Sequence, residues 1–303
     1  MDFTQLRYFH EVARAGTIRK ASERLNVAAS ALSRQIQQLE HQVGMALFDR
    51  NSQGMRLTPA GEIYARHAKL VMLDEERARN ELAELKGLKR GIVRVVSAEG
   101  VVSDYLMQTI AAFRASSPGV SFQLGVIGTD DIIKAVKNGD ADIGLAFNGR
   151  LEAEIEFRLQ IFDRLCVVCA PSHPLAKKKS INLREVLGYP LAIPVTGFGI
   201  RTLIDEACRI SRLRLNAALM TNCIDALRAF AFNGIGVSVI TQLSVRRELA
   251  SGQLIAVPLT NPTLRHSSID VMVLGARRQP QAVEAFLKQL RDEAVARKTQ
   301  ILV

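Results

Sequence analysis

A change of texture near residue 90 constrains this chain more than any other feature. Before it, apolar residues recur at helical spacing: Phe3, Leu6, Phe9 and Ala13, then Ala21 and Leu25, then Leu32, Ile36 and Leu39. After it, short apolar runs alternate with helical stretches: Ile92 to Val96, a helix reaching Phe113, Val120 to Ile127, a helix over Asp130 to Lys137, then Ala141 to Phe147. Runs at Leu165 to Ala170, Leu191 to Ile193, Val237 to Ile240 and Ile269 to Leu274 supply a second unit of the same kind. The first texture predicts a small helical head. The second is βαβ order and predicts an α/β body, with a mostly parallel sheet and helices on its faces. The 303 residues suffice for both.

Within the head, Gly16-Thr17 and Asn26-Val27 break three short helices that share one apolar centre. Opposite the buried stripe of the third lie Ser30, Ser33, Arg34 and Gln37, at i, i+3, i+4 and i+7. Short hydrogen-bonding side chains beside a guanidinium fit a major groove, where Arg reads guanine, Gln reads adenine and Ser serves base or phosphate. A plain solvated helix face is the alternative. Leu47 to Arg50 and Met55 to Thr58 then flank the turn Asn51-Ser52-Gln53-Gly54, a hairpin with Arg50 and Arg56 on its two arms. Beside a recognition helix such arms grip flanking phosphates. Alone they are surface arginines.

Thr58 can cap the next helix and Pro59 can take its first position. Along it Tyr64, Ala68, Val71, Glu75, Ala78, Leu82 and Leu85 alternate steps of four and three, a heptad-like seam interrupted once by Glu75. A second copy of the chain is the simplest partner for so narrow a stripe, and packing within the monomer is the alternative. Gly87 to Gly91, with Lys89 and Arg90, reads as a hinge into the body.

The residues Phe3, Leu6 and Phe9, Ala21-Ser22-Glu23-Arg24-Leu25, Ala31-Leu32-Ser33-Arg34-Gln35-Ile36, Leu39-Glu40, Gly44, Leu47-Phe48-Asp49-Arg50 and Leu57-Thr58-Pro59-Ala60-Gly61 resemble the signature of LysR-type transcriptional regulators. One departure is Ala29-Ser30, where many members carry Gln-Pro. In the body Phe113 to Val120 with Pro118, Gly139-Asp140-Ala141-Asp142-Ile143-Gly144-Leu145, His173-Pro174-Leu175-Ala176 and Gly234-Ile235-Gly236-Val237 are similar to the family's effector domain.

The resemblance implies an N-terminal winged helix-turn-helix over 1–58, a linker and dimerisation helix with hinge over 59–90, and an effector domain over 91–303. That domain is two-lobed and periplasmic-binding-protein-like, lobe 1 being about 91–161 and 266–303 and lobe 2 about 162–265. The partners it implies are double-stranded DNA, a small-molecule effector and further copies of the chain, as homodimer or homotetramer, with RNA polymerase a further candidate. Candidate DNA-facing residues are Ser30, Ser33, Arg34, Gln37, Arg50, Arg56 and Thr58.

In open α/β sheets ligands bind beyond the carboxyl ends of the strands, which directs attention to the loops there. These supply Ser97, Glu99 and Gly100 after the first strand, Thr129 after the second, and Thr196, Phe198 and Asn222 from the other lobe. Family positions matching Ser97, Thr129 and Thr196 commonly line the effector cleft. Hydroxyls, an amide and glycines that free N–H groups at helix starts suit a small anion, although Ser and Thr there also cap helices. Glu99 would repel a carboxylate unless Arg201 or another cation pairs with it, and would welcome an amine. Ligand charge stays open. Phe147, Phe198 and Phe230 could form an apolar wall, and only Phe198, between two glycines, reads as exposed.

The formal charge of +10 suits a polyanionic partner, though residues 1–70 hold only ten basic and six acidic groups. No catalytic set, cofactor fingerprint or metal spacing is evident: Gly236-Val237-Ser238-Val239-Ile240 lacks the second glycine of a nucleophile elbow, and Gly197-Phe198-Gly199 stops short of a dinucleotide motif. The histidines at 10, 41, 67, 173 and 266 show no ligand spacing. Cys166 and Cys169 fall on opposite faces of one apolar strand and read as core thiols. Some LysR-type proteins sense peroxide through cysteines in this domain, so a pair of Cys208 and Cys223 is the rival to an effector, with buried thiols the simpler reading. The N-terminus shows neither a basic flank nor an apolar signal core, and no run approaches a membrane span, so a cytoplasmic location without membrane partners is expected.

Overall fold

The computed structural model describes residues 2–51, 54–85, 91–275, 278–297 and 301, which separate into a head ending at Leu82 and a body beginning at Ala83. Helix α1 (Phe3–Ala15) starts on a capping box: Asp2 accepts from the Thr4 N–H at 3.3 Å and Gln5 accepts from the Asp2 N–H at 3.4 Å. Gly16, at φ 70°, ends it in the left-handed conformation that glycine adopts without penalty. Thr17 caps α2 (Ile18–Leu25), and α3 (Ala29–Val43) closes on Gly44. Phe9, Leu32, Ile36, Leu39 and Leu47 have no exposed surface and form the centre of the head. Strands β1 (Phe48–Asn51) and β2 (Gly54–Leu57) make the wing, Asp49 opposite Arg56. The Glu40 carboxylate on α3 accepts from the Leu47 and Phe48 N–H groups, at 2.8 and 3.0 Å, and so anchors the wing to α3.

Helix α4 (Pro59–Leu85) carries the apolar seam, which divides. Tyr64, Ala68 and Val71 pack on the head's own core, while Ala78 and Leu82 are exposed. Packing within the monomer thus accounts for the first half of the stripe. The side chain of Leu85 and the predicted hinge at Gly87 to Arg90 lie outside the described residues.

The body begins with β3 (Gly91–Ser97), α5 (Glu99–Val101) and a π-turn over Val102–Leu106 that runs into α6 (Met107–Ser116). There follow β4 (Val120–Val126), α7 (Thr129–Lys137), β5 (Ile143–Phe147) and β6 (Ile155–Phe162). The chain then passes through Asp163 and Arg164 into a second sheet. It comprises β7 (Leu165–Cys169), α8 (Leu183–Val186), β8 (Leu191–Pro194), α9 (Gly199–Ile210), β9 (Leu219–Thr221), α10 (Ile224–Phe232), β10 (Val237–Thr241), α11 (Arg246–Ala250) and β11 (Ile255–Pro258). Past α12 (Pro262–Arg265) the chain returns as β12 (Ser268–Leu274), and α13 (Gln281–Ala296) packs on the first sheet.

The two sheets run β4-β3-β5-β12-β6 and β11-β7-β10-β8-β9. In each, two strand pairs are parallel and two antiparallel, which corrects the expected mostly parallel sheet. Parallel neighbours need a crossover helix between them. Strands β7 and β12 enter straight from the other lobe and join antiparallel. Strands β6, β9 and β11 were missed by the reading of apolar runs, the last two being only three and four residues long. The signal of β6 is the alternation Ile155, Phe157, Leu159, Ile161, broken by the polar Glu156, Arg158 and Gln160.

Gly61, in the first turn of α4, lies so close to the wing that a Cβ there would sit 2.0 Å from the Leu47 carbonyl oxygen. In an isolated helix Gly61→Ala would gain about 1 kcal/mol. Here the collision should reverse the sign and cost about 1–3 kcal/mol. Urea unfolding of the full chain, followed by circular dichroism, checks this, and a stabilised variant would refute the close approach.

Candidate functional site

On α3 the side chains of Ser30, Arg34 and Gln37 are exposed and Ser33 is half-buried, all on the face away from Leu32, Ile36 and Leu39. The N-cap, Ala28, provides no side-chain acceptor for the first N–H groups of α3. Among the described residues Arg34 has no ion-pair partner. Arg50 is exposed but touches Glu40 at 3.5 Å, and Arg56 is exposed on the facing strand. Thr58 differs from the others: its hydroxyl donates to Ala46 O at 2.8 Å and accepts from the Gly61 N–H at 2.9 Å. The structure thus uses Thr58 as the cap of α4.

In the body the two lobes meet along a set of polar contacts in which N–H groups of one lobe find acceptors in the other. The Glu99 carboxylate accepts from the Ile224 N–H at 2.8 Å and the Asp225 N–H at 3.2 Å, so a side chain of the first lobe caps α10 of the second. Thr129 Oγ1 accepts from the Gly199 N–H at 3.1 Å and donates to Phe147 O at 3.2 Å. The Asp130 N–H donates to Gly197 O at 3.2 Å. At the rim Arg246 pairs with Asp104 at 3.2 Å, and Arg247 donates to Ser103 O. Two glycines permit this approach. A Cβ on Gly199 would lie 1.9 Å from Phe147 O, and one on Gly100 would lie 2.9 Å from the Ser244 Cβ.

Between the lobes remains a cavity of about 20 Å³, lined by Glu99, Gly100, Thr129, Phe147, Phe198 and Ser244 among others. That is room for about one water molecule. Of the residues expected at the cleft, Glu99, Gly100, Thr129 and Phe198 come together here. Ser97 does not: it is fully buried, its hydroxyl donating to Ala98 O. Thr196 and Asn222 are exposed and lie outside the lining, and Phe230 is buried away from it. Arg201 pairs with Asp205 at 2.8 Å, so the conjectured Arg201–Glu99 pair is replaced by the α10 cap. Thr241, Ser244 and Ile269 also line the cavity and were missed, because nothing local marks a residue that another lobe approaches.

Burial raises the thiol pKa of Cys166 and Cys208, and pushes Cys169 up to about 11, which opposes the thiolate that oxidants attack. Among the described residues no group of His, Cys, Asp and Glu could hold a metal ion.

A winged helical head joined to a two-lobed α/β body defines a class of ligand-responsive regulators. The comparisons agree: residues 3–62 match the bacterial regulatory helix-turn-helix protein, lysR family, and residues 86–295 match the LysR substrate binding domain. The chain belongs to the LysR family and is a transcriptional regulator with an effector-binding domain. It is 26% identical over 96% of each chain to the HTH-type transcriptional activator CmpR of Synechocystis sp.. It is 29% identical to a probable RuBisCO transcriptional regulator of Porphyra purpurea, over 94% of this chain and 92% of that protein. In fold it matches a full-length OxyR variant from Pseudomonas aeruginosa, with TM-score 0.77 and 22% identity over 99% of this chain and 98% of the other. Full-length CbnR complexed with its target DNA gives TM-score 0.63 and 21% identity over 97% and 100%.

Where the chain first crosses between lobes, Asp163 is buried with Oδ2 unpartnered, while Oδ1 accepts from the Leu243 N–H at 3.2 Å. Burial raises its carboxyl from 3.8 to about 6, against the Leu243 hydrogen bond that lowers it. A carboxyl raised in the folded state contributes its full stability below pH 3.8 and loses it as pH rises through about 6. Asp163→Asn, which cannot ionise, should therefore be more stable than the parent at pH 8 by about 2–3 kcal/mol, with the gain vanishing near pH 4. Thermal unfolding at the two pH values tests this, and a pH-independent difference would contradict it.

Proposed function

We propose that α3 enters the major groove of double-stranded DNA, with Ser30, Ser33, Arg34 and Gln37 against base edges and Arg50 and Arg56 on flanking phosphates. What carries this reading is an exposed Arg34 without an ion-pair partner among the described residues, on the face of α3 opposite the buried Leu32, Ile36 and Leu39. A homo-oligomer, dimer or tetramer, is supported by the exposed Ala78 and Leu82 on α4, since two-fold pairing presents two heads to one site. No helix among the described residues is long and apolar enough to cross a membrane. A cytoplasmic regulator without catalytic activity fits these features.

We infer further that the interlobe cavity is where a small-molecule effector acts. The N–H groups at the starts of α9 and α10 that face it already have internal acceptors, Thr129 and Glu99. Among the described residues Glu99 is the one charged group in the lining. An anion meets no cation there and finds the α10 N–H groups already taken by Glu99, whereas an amine meets a carboxylate directly. The cleft therefore favours an amine-bearing effector with an apolar body against Phe147 and Phe198. It acts by binding the open and closed lobe arrangements unequally.

Two measurements test these readings. Arg34→Ala should weaken binding to DNA fragments selected on the parent protein by about 1–3 kcal/mol, while Arg56→Gln should lower the salt slope by about 1. Unchanged affinity and slope in both would refute the docking. Thermal unfolding of the full chain against amines, amino acids and aromatic acids should reveal an amine that adds about 2.7 kcal/mol at 100 times its dissociation constant, an effect lost in Glu99→Gln. A larger shift from a carboxylate lacking an amine would overturn the assignment.

A further inference from the structure

We propose that a groove at the two crossings between the lobes, separate from the cleft, is a second ligand site for a compact organic dianion with a short apolar body. The groove encloses about 570 Å³, the size of a small-metabolite pocket, and shares no lining residue with the interlobe cavity. Phe162 and Arg164 come from the first crossing, and Arg265, His266 and Ser267 from the second.

Its charge is one-sided. Arg164, Arg265 and His266 all line it, no Asp or Glu does, and among the described residues none of the three has an ion-pair partner. Elsewhere in the same lobe Arg201, Arg209, Arg228 and Arg246 each hold a carboxylate. The nearest acid in sequence, Asp163, is buried and bonded to the Leu243 N–H. Arg164 is placed by its neighbour, the guanidinium lying 5.9 Å from the centre of the Phe162 ring. The hydroxyls of Ser267 and Ser268 already donate to Asp163 O and Asp270 Oδ1, so an incoming ligand meets the guanidinium and imidazole donors first. Two planar forks match the paired oxygens of a phosphate or of two carboxylates. Phe162, Pro258 and Leu259 provide the apolar wall beside them. A ligand here touches both crossings, and a preference for one lobe arrangement would bias how the lobes sit on each other.

Phosphate monoesters and dicarboxylates share this chemistry, and isothermal titration of the full chain with phenyl phosphate and with phthalate separates them. Saturable binding of either supports the site and names the source. The affinity should fall by roughly tenfold or more in Arg164→Gln/Arg265→Gln, and stay unchanged in Arg114→Gln, an exposed charge on α6. Hydrogen exchange should slow over 162–165 and 258–267 when the probe is bound. Absence of saturable binding of both probes, an equal loss in Arg114→Gln, or protection confined to the cleft would each overturn the proposal.

Discussion

The body depends on backbone N–H groups that one lobe cannot satisfy alone. A helix start leaves its first donors without intrahelical acceptors, and a buried unpaired donor costs on the order of 1–3 kcal/mol. The starts of α9 and α10 face the other lobe, and Thr129 and Glu99 answer them from there. Closure and helix capping are thus one event. Separating the lobes leaves those donors to water, so opening the cleft gives up the caps that Glu99 and Thr129 provide.

The same economy of donors organises the head. Glu40 reaches from α3 to the N–H groups at the start of the wing, Gly16 O receives the Met55 N–H at 2.7 Å, and Thr58 joins Ala46 to α4. The wing therefore keeps its position without a large sheet. Arg50 rests on Glu40, so the side chain expected to hold DNA is also held by the protein.

Much of this was legible along the chain. Periodicity places α1 to α3 and most strands because burial of one face repeats every 3.6 or every 2 residues regardless of partners. The LysR signature located the head and named the class. What escaped were features that depend on distant residues. Strand β6 hid behind its polar alternate positions, and Thr241, Ser244 and Ile269 carry no local mark of a cavity. Ser97 and Thr196 lie within two residues of true lining residues, yet one turns into the core and the other into solvent. A loop's composition tells which atoms are available, and only the fold tells where they point.

By itself, then, the sequence determined the split between helical head and α/β body, the longer apolar strands, and the exposed face of α3. Each follows from local spacing and local capping. The tertiary structure alone decided that Glu99 caps a helix 125 residues away, that Arg201 turns to Asp205 instead, and that Arg164 and Arg265 share one groove. These are long-range pairings, chosen by how two sheets and their crossings pack, and no window of neighbouring residues contains that information.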